Sequence, residues 1–245
     1  MEQYLFEFIG TALLVLLGDG VCAGVTLNKS KAQGAGWIVI TLAWGFAVMV
    51  GVLVAGPVSG AHLNPAVTLG LAISGSFPWA SVFGYIVAQM LGGFVGACLV
   101  YAFYKDHYDA TADQPGAILG TFCTGPGIRN YGRNFLSEVI ATFVLVFVII
   151  ALATSGNAFQ VAGVSAQTGS IGSFPVTCVI MAIGMSLGGT TGYALNPARD
   201  LSPRLAHALL PIKGKGGSDW AYSWIPVAGP IAGAAIAAGI ALLVF

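Results

Sequence analysis

The triplet Asn-Pro-Ala occurs twice in this chain, as Asn64-Pro65-Ala66 and Asn196-Pro197-Ala198, each time heading an apolar stretch too short to cross a bilayer. Asparagine caps helix N-termini and proline suits the first helical position, so each triplet reads as a helix start. A helix that begins inside a membrane exposes unpaired N–H groups and a positive dipole end, which lipid does not tolerate. Both ends must therefore line a protected polar cavity. One such triplet is an ordinary cap; two in matched contexts point to a pore.

The membrane setting follows from composition. The chain is 57% hydrophobic and 7% charged, against about 25% charged for a soluble domain. Nine basic and nine acidic side chains in 245 residues cannot cover so apolar a surface. The zero net charge and absence of a basic cluster argue against nucleic acid as a partner. Cys22, Cys98, Cys123 and Cys178 show no C-x-x-C spacing and read as small buried thiols rather than a metal or redox site. The N-terminus enters its apolar run at Tyr4 without a basic region, unlike a cleaved signal peptide.

Six stretches approach the ~20 apolar residues of a transmembrane helix: roughly 4–26, 37–56, 79–104, 134–154, 174–190 and 222–245. The fifth is short and glycine-rich. Half-length apolar segments follow near 65–74 and 197–209, and polar loops are expected over 105–133, 155–173 and around Lys213–Asp219. The halves match beyond the triplets. Glu7-Phe8-Ile9-Gly10-Thr11 parallels Glu138-Val139-Ile140-Ala141-Thr142; 57 residues separate Glu7 from Asn64, and 58 separate Glu138 from Asn196. Three spanning helices per copy is an odd number, so the second copy enters the membrane inverted, with a shared site near the midplane. The expected organisation is one channel domain over 1–245, with repeats of about 4–104 and 134–245 joined by a loop of about 105–133. Glu7 and Glu138, carboxylates in apolar runs, are expected to accept N–H bonds from the irregular backbone leading into each half-helix.

These residues resemble those of the aquaporin superfamily, and of its bacterial glycerol facilitators in particular, over essentially the whole length. The resemblance implies an all-α membrane fold of six helices plus two re-entrant half-helices, an hourglass pore in each monomer, and a homotetramer; the glycine-rich helix Gly84–Gly96 offers close packing for assembly. By resemblance, Asn64 and Asn196 donate N–H bonds to the permeating molecule, and the carbonyls of Gly60, Ala61, His62, Gly192, Tyr193 and Ala194 form an acceptor track. The family's selectivity filter maps onto Trp44, Gly184, Tyr193 and Arg199. Water-selective members typically carry Phe, His and a small residue at the first three positions. Here Gly184 opens the constriction, while Trp44 and Tyr193 supply an aromatic corner for a CH backbone and Arg199 takes hydroxyls. Asp200, Arg204 and Pro226-Val227 fit the glycerol facilitators. Tyr193, where many glycerol channels carry Phe, departs from them, and its hydroxyl is expected to make the filter narrower and more polar. His107 and His207 read as loop or interfacial residues with no partner pattern in the sequence.

The implied function is passive flow of glycerol, other small neutral solutes and water, extending to undissociated lactic acid, with no cofactor or metal. The lumen is expected to hold no carboxylate, so cations meet Arg199 and two positive helix ends uncompensated. The alternatives are a water-selective channel, disfavoured by Gly184, Asp200 and Arg204, and an ion-coupled transporter, which also uses broken helices. A closed junction protein finds no adhesive loops, and an enzyme no nucleophile–base pair. Family topology places the termini in the cytoplasm. The loop charges oppose it: Lys29, Lys31, Lys105, Arg129, Arg133, Lys213 and Lys215 all lie on the other side. The motif match, being more specific, is preferred.

Overall fold

A computed structural model describes residues 1–154, 158–161, 164–167 and 173–245. Its long helices are those the apolar runs require: α1 (Glu2–Thr26), α2 (Trp37–Ser59), α4 (Trp79–Phe103), α7 (Tyr131–Thr154) and α10 (Ile225–Val244), each long and apolar enough to cross a membrane. α8 (Phe174–Leu187) has 14 residues, about 21 Å of helix. The half-helices are α3 (Pro65–Ile73) and α9 (Pro197–Leu209). The linker over 105–133 contains two short helices, α5 (Lys105–Asp109) and α6 (Pro115–Gly120). Of the loop expected over 155–173, residues 155–157, 162–163 and 168–172 lie outside the described residues; β1 (Ala158–Val161) and β2 (Val164–Gln167) pair there as an antiparallel hairpin.

The outside of this bundle is apolar and much of its polar chemistry is inside, the reverse of a soluble protein. α4 exposes Phe83, Leu91, Leu99 and Phe103 while burying Tyr85, Gln89, Gly92 and Gly96. Such a surface is covered by lipid; the chain is an integral membrane protein. α1 packs against α2 and α4, as α7 packs against α8 and α10. Each half-helix rests on the final helix of the opposite half, α3 on α10 and α9 on α4.

Glycines make these contacts close. A Cβ on Gly92 would lie 2.3 Å from Phe8 O of α1, and one on Gly233 would lie 2.4 Å from Val139 O of α7. Gly84 faces Tyr4, and Gly96 faces Ala12 O, in the same way. The glycines of Gly84–Gly96 expected to serve assembly thus make contacts within the chain: Gly84, Gly92 and Gly96 bring α4 against α1, and Gly93 brings it against Ala198 and Ser202 of α9.

Candidate functional site

Asn64 and Asn196 cap α3 and α9 as expected of a helix start. Asn64 Oδ1 accepts from Ala66 N at 2.8 Å, and Asn196 Oδ1 accepts from Ala198 N at 2.9 Å and Arg199 N at 3.2 Å. With the oxygens so engaged, the amide nitrogens point across to the other half: Asn64 Nδ2 donates to Leu195 O at 2.9 Å and Asn196 Nδ2 to Leu63 O at 2.8 Å. The two N-termini meet through reciprocal bonds, and each amide keeps a second N–H. Pro65, Ala66, Pro197 and Ala198 are buried at the starts of the two helices.

The backbone leading into each Asn is strained in the same pattern. Gly60, Ala61 and Leu63 have φ of 81°, 51° and 53°; Gly192, Tyr193 and Leu195 have 85°, 41° and 57°. Left-handed conformations at non-glycine residues persist where surroundings over-determine them, and the buried glutamates supply that constraint. Glu7 accepts from Ser59 Oγ at 2.7 Å, His62 N at 2.8 Å, Leu63 N at 2.7 Å and Gln89 Nε2 at 2.7 Å. Glu138 accepts from Thr191 Oγ1 at 2.6 Å, Ala194 N at 3.0 Å and Leu195 N at 3.1 Å. Fixing the N–H groups outward turns intervening carbonyls the other way. Thr68 Oγ1 donates to Asn64 O and accepts from Gln89, so its contact with His62 Nδ1 makes that nitrogen the donor and leaves Nε2 an acceptor.

A cavity of about 170 Å³ runs between these segments. One wall is aliphatic, with Val48, Val52, Leu145, Ile149 and Ile180; the other carries Gly60, Ala61, His62, Asn64, Tyr193, Ala194 and Asn196, with Trp44 and Arg199 also on its lining. Gly184 and Gly192 are not on the lining. A Cβ on Gly184 would meet Tyr193 Cζ and Thr41 Cγ2, both at 2.9 Å, so this glycine makes room for the Tyr193 ring. Trp37 packs edge-on to that ring and donates Nε1–H to Gly184 O at 3.0 Å. The Tyr193 hydroxyl is buried without a hydrogen-bond partner among the described residues. The Tyr193 ring lines the cavity, and its hydroxyl is enclosed by the protein.

Arg199 is buried beside the Trp44 ring, its guanidinium carbon 4.0 Å from the ring centroid. Its Nη1 donates to Asp19 Oδ1 at 3.1 Å and to Phe122 O at 3.4 Å. The expectation that no carboxylate compensates this arginine is therefore corrected: Asp19, on α1, is ion-paired with it. An aspartate inside an apolar helix was the available signal.

Asp200 and Arg204 brace the site from behind. Arg204 Nη2 and Nε donate to Asp200 Oδ1 at 2.9 and 3.0 Å, while Asp200 Oδ2 accepts from Thr124 N and Oγ1 at 2.7 and 2.6 Å. Further bonds from Arg204 reach Thr124 O and Ser218 O, each at 2.9 Å, tying two loops to α9. Pro226 is buried in the first turn of α10. His207 is not interfacial: it is fully buried, with Nδ1 2.8 Å from Ser218 Oγ, because the loop carrying Ser218 and Lys215 folds back over α9. His107 also has a partner, Asn28 O at 3.0 Å from Nδ1. In the same loops Arg129 pairs with Asp219, and that hydrogen bond shifts the guanidinium upward from its ordinary pKa. Of the cysteines, Cys22 and Cys123 are buried, Cys98 is half-buried and Cys178 is exposed on α8, so burial does not hold for all four.

The model of the family described as major intrinsic protein matches residues 1–241. The chain is 59% identical to glycerol uptake facilitator protein 3 of Lactiplantibacillus plantarum, over 96% of this chain and 94% of that one. It is 40% identical to the D/L-lactic acid transporter of the same organism, covering 97% and 95%. The X-ray structure of the aquaglyceroporin from Plasmodium falciparum superposes with a TM-score of 0.82 at 30% identity, covering 97% of this chain and 93% of that one.

Proposed function

This chain belongs to the major intrinsic protein family, and from that premise we propose how its geometry passes a solute. It is a passive membrane channel for glycerol and other small neutral solutes together with water. The observation that carries the route is the two-faced cavity at the meeting of the two half-helices, aliphatic on one side and backed by clamped peptide segments on the other. A polyol lays its CH groups along the aliphatic wall. Its hydroxyls exchange water for the carbonyls of residues 60–62 and 193–194, the second N–H of Asn64 and Asn196, and the guanidinium of Arg199. Trp44 and Tyr193 hold the carbon chain at the filter, with Gly184 behind them. Ions find an aliphatic wall in place of half their hydration, and the two helix N-termini oppose cations at the centre.

In this reading the chain is a single channel domain. The matched halves, about 4–104 and 134–245, are inverted copies, and the paired contacts of α3 with α10 and α9 with α4 support it. The termini lie in the cytoplasm, the membrane is the cell membrane, and the assembly is a homotetramer. Undissociated lactic acid is a further solute, a reading supported by the likeness to the lactic acid transporter. Because the acid crosses neutral, its flux rises as external pH falls.

Stopped-flow light scattering on proteoliposomes tests the function. An osmotic step in sucrose should cause fast shrinkage, and one in glycerol should cause shrinkage followed by fast re-swelling. Shrinkage without glycerol re-swelling would instead make this a water channel. A single cysteine placed at Asp109 should label from outside intact cells; protection of that site would reverse the orientation.

A further inference from the structure

One turn of α1, Gly18 to Cys22, touches the filter three times. A Cβ on Gly18 would lie 2.3 Å from the Trp44 ring, so a glycine lets that indole press against the helix. Asp19 Oδ1 accepts from Arg199 Nη1 at 3.1 Å. Cys22 Sγ accepts the Trp44 Nε1–H at 3.4 Å. Asp19 is 1% exposed, and its Oδ2 has no partner among the described residues. Packing alone does not call for a carboxylate here, since the buried neighbours on this face of α1 are Val15, Cys22 and Ala23. A charge buried at such cost is explained by the one it faces.

We propose that Asp19 is a specificity-determining residue: it aims Arg199 and cancels its charge, so that the constriction donates hydrogen bonds without a net positive field. This rests on the filter reading of Trp44, Tyr193 and Arg199. An unpaired guanidinium would draw small anions into the constriction. Paired with Asp19, it offers N–H donors to a hydroxyl or a neutral carboxylic acid while giving the corresponding anion no electrostatic advantage. The charge pair thus separates neutral solutes from anions at a point where the cavity wall alone discriminates by size and polarity.

The test is a charge series in proteoliposomes: Asp19→Asn, Arg199→Gln, the double variant, and Asp19→Glu. Glycerol re-swelling is read beside the reversal potential in a potassium chloride gradient. Asp19→Asn should raise chloride over potassium permeability about tenfold or more and lower glycerol flux. Arg199→Gln should shift ion selectivity the opposite way, towards potassium. The double variant should be as ion-tight as wild type, and Asp19→Glu should recover most of the glycerol flux. A purely structural role would move both single variants the same way. If Arg199→Gln shifts ion selectivity and Asp19→Asn leaves it unchanged, the role of Asp19 is refuted and the filter stands. If Arg199→Gln changes neither ions nor glycerol, the filter reading itself falls. Should Asp19→Asn fail to fold, the comparison of Arg199→Gln with the double variant decides: a potassium leak that persists without Asp19 overturns the proposal.

Discussion

Residues 59–64 and 191–196 share a backbone and differ in the helix that each one enters. Each runs from a hydroxyl bound to a buried glutamate, through a left-handed glycine, to a left-handed leucine just before the asparagine. Beyond that point, α3 buries Pro65, Ala66, Val67 and Thr68, none of them ionisable. α9 is four residues longer and buries Arg199, Asp200, Arg204 and His207. The support differs as well. Gln89, three residues before Gly92, adds a fourth donor to Glu7, whereas Pro230 stands three before Gly233 and offers none. The shared features are those that let a helix start inside a membrane; of the proposed filter, Gly184, Tyr193 and Arg199 lie in the second copy and Trp44 in the first.

The largest effects should come from the shared clamp. Glu7→Gln and Glu138→Gln each turn an amide towards backbone N–H donors and forfeit several charge-assisted bonds, each worth about 1.5–3 kcal/mol. Both variants should lose on the order of 3–5 kcal/mol, read as a lower unfolding midpoint in detergent. Glu7→Gln should lose more, because Gln89 then faces a second amide. A wild-type midpoint for either variant would break the equivalence of the two copies.

A smaller and more selective effect is expected at the filter. The Cβ of a residue at 184 collides with Tyr193 and Thr41, so Gly184→His should drive the Tyr193 ring towards the cavity. Glycerol flux should fall about tenfold or more and water flux less than about threefold, since a pocket discriminates by what it excludes. Val52 stands twelve residues before Asn64, as Gly184 does before Asn196, and it lines the cavity. Val52→Phe should slow both solutes by similar factors. If Val52→Phe proved as glycerol-selective as Gly184→His, selectivity would not lie mainly in the second copy.

The division between shared and unshared features also separates the parts legible in the sequence from the rest. A bilayer sets the length and apolarity of a crossing helix, so the spans could be read directly, and α8, the shortest, was visible as such. The re-entrant segments could be read because each needs a capping residue, a proline and a distant carboxylate at a fixed spacing. Contacts that depend on how separate elements come together could not. Asp19 meets Arg199 only once α1, α9 and the loop at Phe122 converge. His207 is buried only because a loop folds back over α9. The glycines of α4 looked free for a neighbouring copy because spacing reveals a smooth face without saying which helix lies against it.

The smallest predicted effect concerns Tyr193, the residue at which the two copies differ most visibly in their strained segments, since Ala61 holds the corresponding place. Its ring lines the cavity, but its hydroxyl is buried and has no partner among the described residues. An orphaned hydroxyl costs about 1–3 kcal/mol, and its removal leaves the face that meets the solute in place. Tyr193→Phe should therefore raise the unfolding midpoint, by about 1 kcal/mol of stability, while changing the ratio of glycerol to water flux by less than about twofold. Loss of stability would mean that the hydroxyl has a partner in the membrane. A ratio changed by more than about fivefold would mean that the hydroxyl reaches the passing solute, and the filter would then owe part of its selectivity to a polar group as well as to its aromatic corner.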